Sequence, residues 1–182
     1  VTFIGTGKDT TTILGGFAIE NVENITFKEM TLTNTTLTNT SFGGMGIRMG
    51  NAKVELIDVA LKGCKQFALY ISFPTSETSV VATRCEFANS EYGVFVDGSL
   101  NSATFKNCVF NDNRSDGIYV SNPATIHLHG EATAIHSNGG DGISACLSGK
   151  VLIHLPSHHN TSYNNKGDRK TNSGGTITNV ED

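Results

Sequence analysis

The chain has 182 residues and a formal net charge of −4 at pH 7, so it is long enough to bury the core of one domain. Lys and Arg number 13 against 17 for Asp and Glu, which leaves no basic surface for a phosphate backbone and excludes nucleic acid as an expected partner. No apolar run reaches the roughly 18 residues of a membrane span, so none is predicted. The chain starts at Val1 rather than at Met, which indicates a processed or excised fragment.

A degenerate repeat runs along the chain, and in each copy a small residue begins a short apolar strand. Copies start at positions 46, 68, 93, 117 and 142, so successive copies lie 22 to 25 residues apart. A repeat of this length is typical of a solenoid, because one unit cannot bury its apolar side alone and must stack on its neighbours. The copies read Gly46-Ile47-Arg48-Met49, Ala68-Leu69-Tyr70-Ile71, Gly93-Val94-Phe95-Val96, Gly117-Ile118-Tyr119-Val120 and Gly142-Ile143-Ser144-Ala145.

A second strand is predicted upstream of the copies, over residues 25–32, 54–61, 80–87 and 103–110. Alternation by two puts the apolar side chains of a strand on one side of it. Aligned, the repeats predict four inward columns: Met30, Val59, Cys85 and Cys108; Leu32, Leu61, Phe87 and Phe110; Ile47, Leu69, Val94, Ile118 and Ile143; and Met49, Ile71, Val96, Val120 and Ala145. Asn- and Gly-rich turns between strands are predicted to form the corners, since these residues tolerate left-handed backbone conformations.

The predicted fold class is all-β, a single-stranded parallel β-helix or solenoid of about six or seven coils. We expect residues 1–156 to form the helix and residues 157–182 to form a polar C-terminal cap with a last strand at 176–180. A cap is expected because the open end of such a helix exposes unpaired backbone groups. A left-handed helix is not predicted, since the strict six-residue period that it needs is absent.

The opening segments resemble the first coils of right-handed parallel β-helix proteins of the pectin lyase-like superfamily. They read Phe3-Ile4-Gly5-Thr6-Gly7, Thr11-Thr12-Ile13-Leu14-Gly15-Gly16 and Met30-Thr31-Leu32-Thr33-Asn34. The resemblance extends over roughly residues 1–155 and implies a right-handed helix. That superfamily includes pectate lyases, polygalacturonases, pectin methylesterases, alginate epimerases and viral tailspikes. Enzyme motifs such as Gly-His-Gly of the polygalacturonases and Asp-Pro-His of the epimerases are absent, so the resemblance implies a structural, tailspike-like member.

The outward positions of the repeat form a column of larger side chains: Arg48, Tyr70, Phe95, Tyr119 and Ser144. Its three aromatic rings are expected to lie above one another on an exterior face. Such a ladder indicates an interaction surface, either the seam of a homo-oligomer, with a trimer favoured, or a platform for sugars. The alternative is that loops or the C-terminal segment cover the rings.

All six histidines lie between residues 127 and 159. His127 and His129 are predicted to point outward from one strand, about 6.8 Å apart. If Val151, Ile153 and Leu155 point inward, His154 joins them from the next coil, and three imidazoles suit zinc, nickel or iron. A solvated strand face is the alternative, with His158 and His159 in a turn. No other cofactor is expected.

Two carboxylates precede the glycines of consecutive copies, Asp116 and Asp141, and should lie one rung apart. They are candidates for calcium binding or for acid/base catalysis, with Arg114 and His136 as further catalytic candidates. The alternative is turn chemistry, in which an Asp before Gly accepts hydrogen bonds from backbone amides. Cys85 and Cys108 occupy neighbouring inward positions and are predicted to be free thiols.

Two functions remain open at this point. The first is a non-catalytic structural or binding module, a tailspike-like or fibre-like homo-oligomer at a virion or extracellular surface, with carbohydrate contact. The second is a polysaccharide-active enzyme, a lyase, hydrolase or epimerase of acidic glycans with an exterior groove. The absent motifs favour the first, and superfamily membership supports the second.

Overall fold

The structure, a computed structural model, describes residues 1–36, 43–72, 76–154 and 162–181. Leu155, His158 and His159 lie outside the described residues, and so does the expected boundary between 156 and 157. Within the described ranges every helix or strand assigned is a β-strand. No helix long and apolar enough to cross a membrane is present in these ranges.

Eighteen strands follow one another in the described ranges. They are β1 (Thr2–Ile4), β2 (Thr12–Leu14), β3 (Phe17–Thr33), β4 (Ile47–Lys62), β5 (Phe67–Ile71), β6 (Thr78–Thr83), β7 (Glu86–Ala88), β8 (Tyr92–Asp97), β9 (Asn101–Lys106), β10 (Val109–Asn111), β11 (Ile118–Ser121), β12 (Thr125–His129), β13 (Ala134–His136), β14 (Asp141–Ala145), β15 (Lys150–His154), β16 (Ser162–Tyr163), β17 (Gly167–Thr171) and β18 (Thr176–Val180).

The strands pair in parallel from coil to coil and form three ladders, here called face 1, face 2 and face 3. Face 1 contains β5, β8, β11, β14 and β17; face 2 contains β1, β6, β9, β12, β15 and β18; face 3 contains β2, β7, β10, β13 and β16. The long strands β3 and β4 contribute to all three faces. The result is a parallel β-solenoid of about seven turns, as the repeat predicts.

The inward columns predicted from the repeat are confirmed by register and burial. On face 1, Leu69 pairs with Val94, which pairs with Ile118. On face 3, Leu61 pairs with Phe87, which pairs with Phe110. Apolar side chains from all faces meet along the axis in one buried cluster. Burial of these columns is the main source of stability for the coil stack.

Residues 167–180 add a further coil to the same stack. β17 pairs in parallel with β14, and β18 pairs with β15. β18 occupies the position of the last strand expected at 176–180. Where the helix ends and a cap begins stays a prediction.

Single left-handed residues turn the chain between face 2 and face 3. Glu29, Asp58, Arg84 and Asn107 occupy this corner with φ between 52° and 55°. Stacking brings the Arg84 guanidinium against the Asp58 carboxylate of the previous coil, with N···O distances of 2.8 and 2.6 Å. This hydrogen-bonded pair holds the pKa of the Asp58 carboxyl below its usual range. The corner thus repeats by backbone conformation although its residue types differ.

The corner between face 3 and face 1 contains a ladder of buried polar side chains. Ser90, Asn113 and Asn138 point inward here, and their oxygens accept the backbone N–H of the residue one coil before. Asn165 continues the ladder, since its Oδ1 accepts the backbone N–H of Asn138 at 3.0 Å. The ladder satisfies backbone groups that the turn would otherwise leave buried and unpaired.

Candidate functional site

The outward column of the repeat lies on face 1 and brings aromatic rings into contact. Tyr70, Phe95 and Tyr119 occupy successive rungs. Their ring centroids lie 5.3 Å apart for Tyr70 and Phe95 and 4.9 Å apart for Phe95 and Tyr119. All three side chains are half-buried. Arg48 stands one rung before Tyr70 and forms an ion pair with Glu20.

A second column, which the sequence analysis missed, stands beside the first. Phe67 and Tyr92 pair in register at the start of their strands, with ring centroids 5.2 Å apart. The Phe67 ring also contacts Tyr70 at 4.9 Å and Phe95 at 5.3 Å. Simple alternation would place both rings inward, but they stand where the chain leaves a corner, and they are half-buried. We call Phe67, Tyr70, Tyr92, Phe95 and Tyr119 the aromatic surface.

The rings of the aromatic surface pack mainly against one another. Phe95 and Tyr119 are nearly parallel, with an interplanar angle of 6°, and Phe67 and Tyr92 are inclined by 22°. Each of these four rings therefore has one face stacked on a neighbouring ring, while the Phe67 ring meets Phe95 edge-on. Burial raises the pKa of Tyr70, and burial together with a hydrogen bond to Cys146 raises the pKa of Tyr119 to about 12. Both phenols stay neutral at physiological pH.

The two aspartates lie together at the end of the aromatic surface. The backbone N–H of Asp141 donates to Oδ1 of Asp116 at 2.8 Å. Lys170 places its Nζ 3.4 Å from Oδ2 of Asp141, so a cation accompanies the pair. Burial raises the pKa of the Asp116 carboxyl, and the neighbouring charge of Asp141 adds to the rise. Ser144 was expected on the exterior but is only 2% exposed, and its hydroxyl donates to Oδ2 of Asp141 at 3.3 Å.

The other two catalytic candidates lie apart from this pair. Arg114 forms an ion pair with Glu91 at 3.6 Å and lines a groove of about 390 Å³ that also includes Lys65. His136 lies on face 3, where its ring stacks on Tyr163 with centroids 5.1 Å apart. The structure therefore brings together two of the four candidates and adds Ser144 and Lys170 to them.

The predicted histidine group is assembled on face 2. His127 and His129 project from β12, and His154 projects from β15 on the next coil. One ligand nitrogen from each lies within 4.8 Å of the others. Nδ1 of His127 and Nε2 of His154 are 3.0 Å apart. All three side chains are half-buried, and burial lowers the pKa of His127.

The cysteines are free thiols in the structure, as expected. Cys85 and Cys108 lie on neighbouring rungs, and the backbone N–H of Cys85 donates to Sγ of Cys108 at 3.5 Å. Cys64, Cys85 and Cys108 are buried, and they pack in the interior as small apolar side chains.

Comparisons with known proteins agree with the architecture. A family model of the right-handed β-helix region matches residues 76–181. The solved structure of ORF18 from Geobacillus virus E2 is similar, with a TM-score of 0.53 and 11% sequence identity. The similarity covers 99% of this chain and 48% of that chain, so this chain spans about half the length of the viral protein. At this identity the likeness shows the fold alone. No curated protein matches this chain.

Proposed function

This chain belongs to the right-handed β-helix family, and from that premise we propose that it is a non-catalytic structural module that self-associates through the aromatic surface. The fold supports this role, because stacked coils form a rigid shaft whose exterior is free for contacts. The family agrees with the resemblance to the pectin lyase-like superfamily. A place at a virion or another extracellular surface is part of this proposal, and it follows from the tailspike-like resemblance of the sequence.

The observation that carries the proposal is the mutual stacking of the five rings. A contiguous apolar patch of this kind marks an interaction site. A sugar stacks on an open ring face, whereas an apolar protein surface packs against ring edges as well. One face of Tyr92 is stacked on Phe67, and one face of Phe95 is stacked on Tyr119. Because this stacking reduces the ring face that is open to a sugar, we propose a second copy of this chain as the occupant.

Charged groups at both ends of the aromatic surface give the seam a polar rim. Arg48 and Glu20 form an ion pair at one end, and Lys170 and Asp141 form one at the other. An apolar centre with a polar rim is the usual anatomy of a protein interface. Closed cyclic symmetry is the expected outcome, with a trimer as the expected stoichiometry.

The test is the mass of the particle in solution, measured by size-exclusion chromatography with light scattering. We expect the parent chain to run as a homo-oligomer and Phe95→Ser to weaken association about thirtyfold, since truncating a central aromatic at an interface costs about 2 kcal/mol. Tyr163→Ser is the matched control, because Tyr163 is an exposed aromatic on face 3. A parent chain that stays monomeric at high concentration would contradict the proposal.

Carbohydrate contact is proposed for the end of the outer column. Tyr119 is followed on the next rung by Ser144 rather than by an aromatic ring. One face of Tyr119 is thus not stacked on an aromatic ring of the described residues, and this is where a sugar would pack. Glycan binding that survives Tyr119→Ser would speak against this placement.

A second candidate function, a polysaccharide lyase or glycoside hydrolase, is favoured by the aspartate pair. Asp116 has a raised pKa, whereas Asp141 has a cation beside it, and unequal environments of this kind separate an acid from a base. If the chain is such an enzyme, Asp116→Asn lowers turnover of pectate, polygalacturonate or alginate by about 100-fold. Asp112→Asn is the matched control. Absence of unsaturated products and of new reducing ends, with and without calcium, would exclude the enzyme for these substrates.

A further inference from the structure

The histidines of face 2 are brought together by strand register. In β12 two residues of the same parity, His127 and His129, point outward on one side of the strand. β15 pairs with β12 so that His127 faces Leu152 and Leu128 faces Ile153, and the next step places His154 beside His129. Two rungs of a parallel ladder thus supply three imidazoles to one exterior patch, although His154 is 25 residues from His129 along the chain.

We propose that His127, His129 and His154 bind one divalent transition metal ion, with Zn²⁺ as the expected occupant. This site is independent of the aromatic surface, which lies on face 1. Its ligand set is entirely imidazole nitrogen, which suits Zn²⁺, Ni²⁺ and Cu²⁺ and does not suit Ca²⁺ or Mg²⁺, since these prefer oxygen.

The distances between the nitrogens are close to those that a metal requires. Two nitrogens about 2.0–2.1 Å from one tetrahedral ion lie about 3.3 Å apart, and Nδ1 of His127 and Nε2 of His154 are 3.0 Å apart. The three ligand nitrogens all lie within 4.8 Å of one another. The ring centroids of His129 and His154 are 4.0 Å apart and nearly parallel. Binding therefore needs the imidazoles to rotate about χ2, a torsion with a broad energy profile.

The preceding rung places one charged and one neutral side chain beside the histidines. Lys106 stands one rung before His129 and is exposed, so its ammonium can extend into solvent away from a bound cation. Thr104 stands one rung before His127. No Asp or Glu of the described residues joins the three ligand nitrogens, and water fills the remaining coordination positions.

A bound ion would join β12 to β15 and thereby link two consecutive coils. The test is calorimetric titration of the metal-free chain with ZnCl₂, together with its thermal unfolding. We expect one ion per chain and a higher unfolding temperature with Zn²⁺, because a ligand that binds only the folded state stabilises it. Replacing bound Zn²⁺ by Co²⁺ is expected to give the absorption bands of a cobalt ion with imidazole ligands.

Single substitutions distinguish Zn²⁺ binding at this site from unspecific Zn²⁺ binding to other histidines. His127→Ala, His129→Ala and His154→Ala should each weaken Zn²⁺ affinity by about 100-fold or more, since loss of even an outer partner of a ligand costs about 10–100-fold. His136→Ala is the matched control and should bind Zn²⁺ as the parent chain does. His154→Gln, which keeps the size and polarity of the side chain, covers the case in which an Ala variant fails to fold. Equal affinity in the His127, His129 and His154 variants, or no binding by the parent chain, would overturn the proposal.

The pH dependence has a defined sign. Metal binding requires neutral imidazoles, so protons compete with Zn²⁺ and affinity should be lower at pH 5.5 than at pH 7.5. Calorimetry at pH 7.5 and at pH 5.5 measures this. Affinity that is unchanged between the two values would exclude imidazole ligation.

Discussion

Replacing Phe110 with Ala is expected to lower the free energy of unfolding by about 4 kcal/mol. Phe110 is fully buried, and its ring stacks on Phe87 at 5.1 Å and meets Phe105 edge-on at 5.1 Å. The coils before and after β10 fix the positions of the neighbouring side chains. These side chains therefore cannot easily move into the cavity that the truncation leaves. Urea unfolding followed by circular dichroism, at one fixed protein concentration, measures the change.

Phe110→Leu is the matched control for this substitution. The same column holds Leu61 two rungs earlier, so Leu fits the backbone environment and should cost only about 1 kcal/mol. Because each coil contacts only its neighbours, loss of hydrogen-exchange protection in the Ala variant should be largest in β7, β10 and β13. Equal losses for Ala and Leu would show that packing of the ring is not what stabilises this coil.

Replacing Asn138 with Ala is expected to cost about 3 kcal/mol, because it breaks the polar ladder in the corner between face 3 and face 1. The Asn138 side chain accepts from the N–H and from Nδ2 of Asn113, at 3.1 and 2.9 Å. It donates to the backbone oxygen of Phe110 at 3.1 Å and to Oδ1 of Asn165 at 2.8 Å. Ala leaves these buried groups without a side-chain partner.

Asn138→Ser distinguishes the stabilising effect of the hydrogen bonds from that of the side-chain volume. In the same ladder Ser90 accepts the N–H of Cys64 at 3.0 Å and donates to the backbone oxygen of Ala88 at 3.0 Å. A hydroxyl at position 138 should therefore recover part of the lost stability, leaving a cost of about 1.5 kcal/mol. Thermal and urea unfolding of both variants test this. A Ser variant that is no more stable than the Ala variant would show that hydrogen bonding at position 138 does not stabilise the corner.

The candidate sites illustrate what a repeat can predict. Tyr70, Phe95 and Tyr119 were placed on one exterior column from alternation and spacing, and the register confirms their stacking. Phe67 and Tyr92 were missed because they stand at a corner, where the backbone leaves the strand and alternation by two no longer tells inside from outside. A corner residue is oriented by the turn that precedes it, and that turn is only seen in three dimensions.

Periodicity also explains why only two of the four catalytic candidates lie together. Asp116 and Asp141 hold equivalent positions in consecutive copies, so periodicity alone brings them together. Arg114 and His136 do not repeat in the same way, and their partners, Glu91 and Tyr163, follow from local geometry. Ser144 continues the exterior column in register, yet it is buried, and its hydroxyl donates to the Asp141 carboxylate.

The architecture can be predicted from the sequence, because repeats of 22 to 25 residues with alternating apolar positions bury their apolar side chains best as a stack of parallel coils. The grouping of the three histidines can also be predicted, because they occupy outward positions on adjacent rungs. The orientation of residues at the corners is visible only in three dimensions. Corner conformations, the angles between neighbouring rings and the inward asparagine ladder depend on contacts between coils, and such contacts join residues that are distant along the chain.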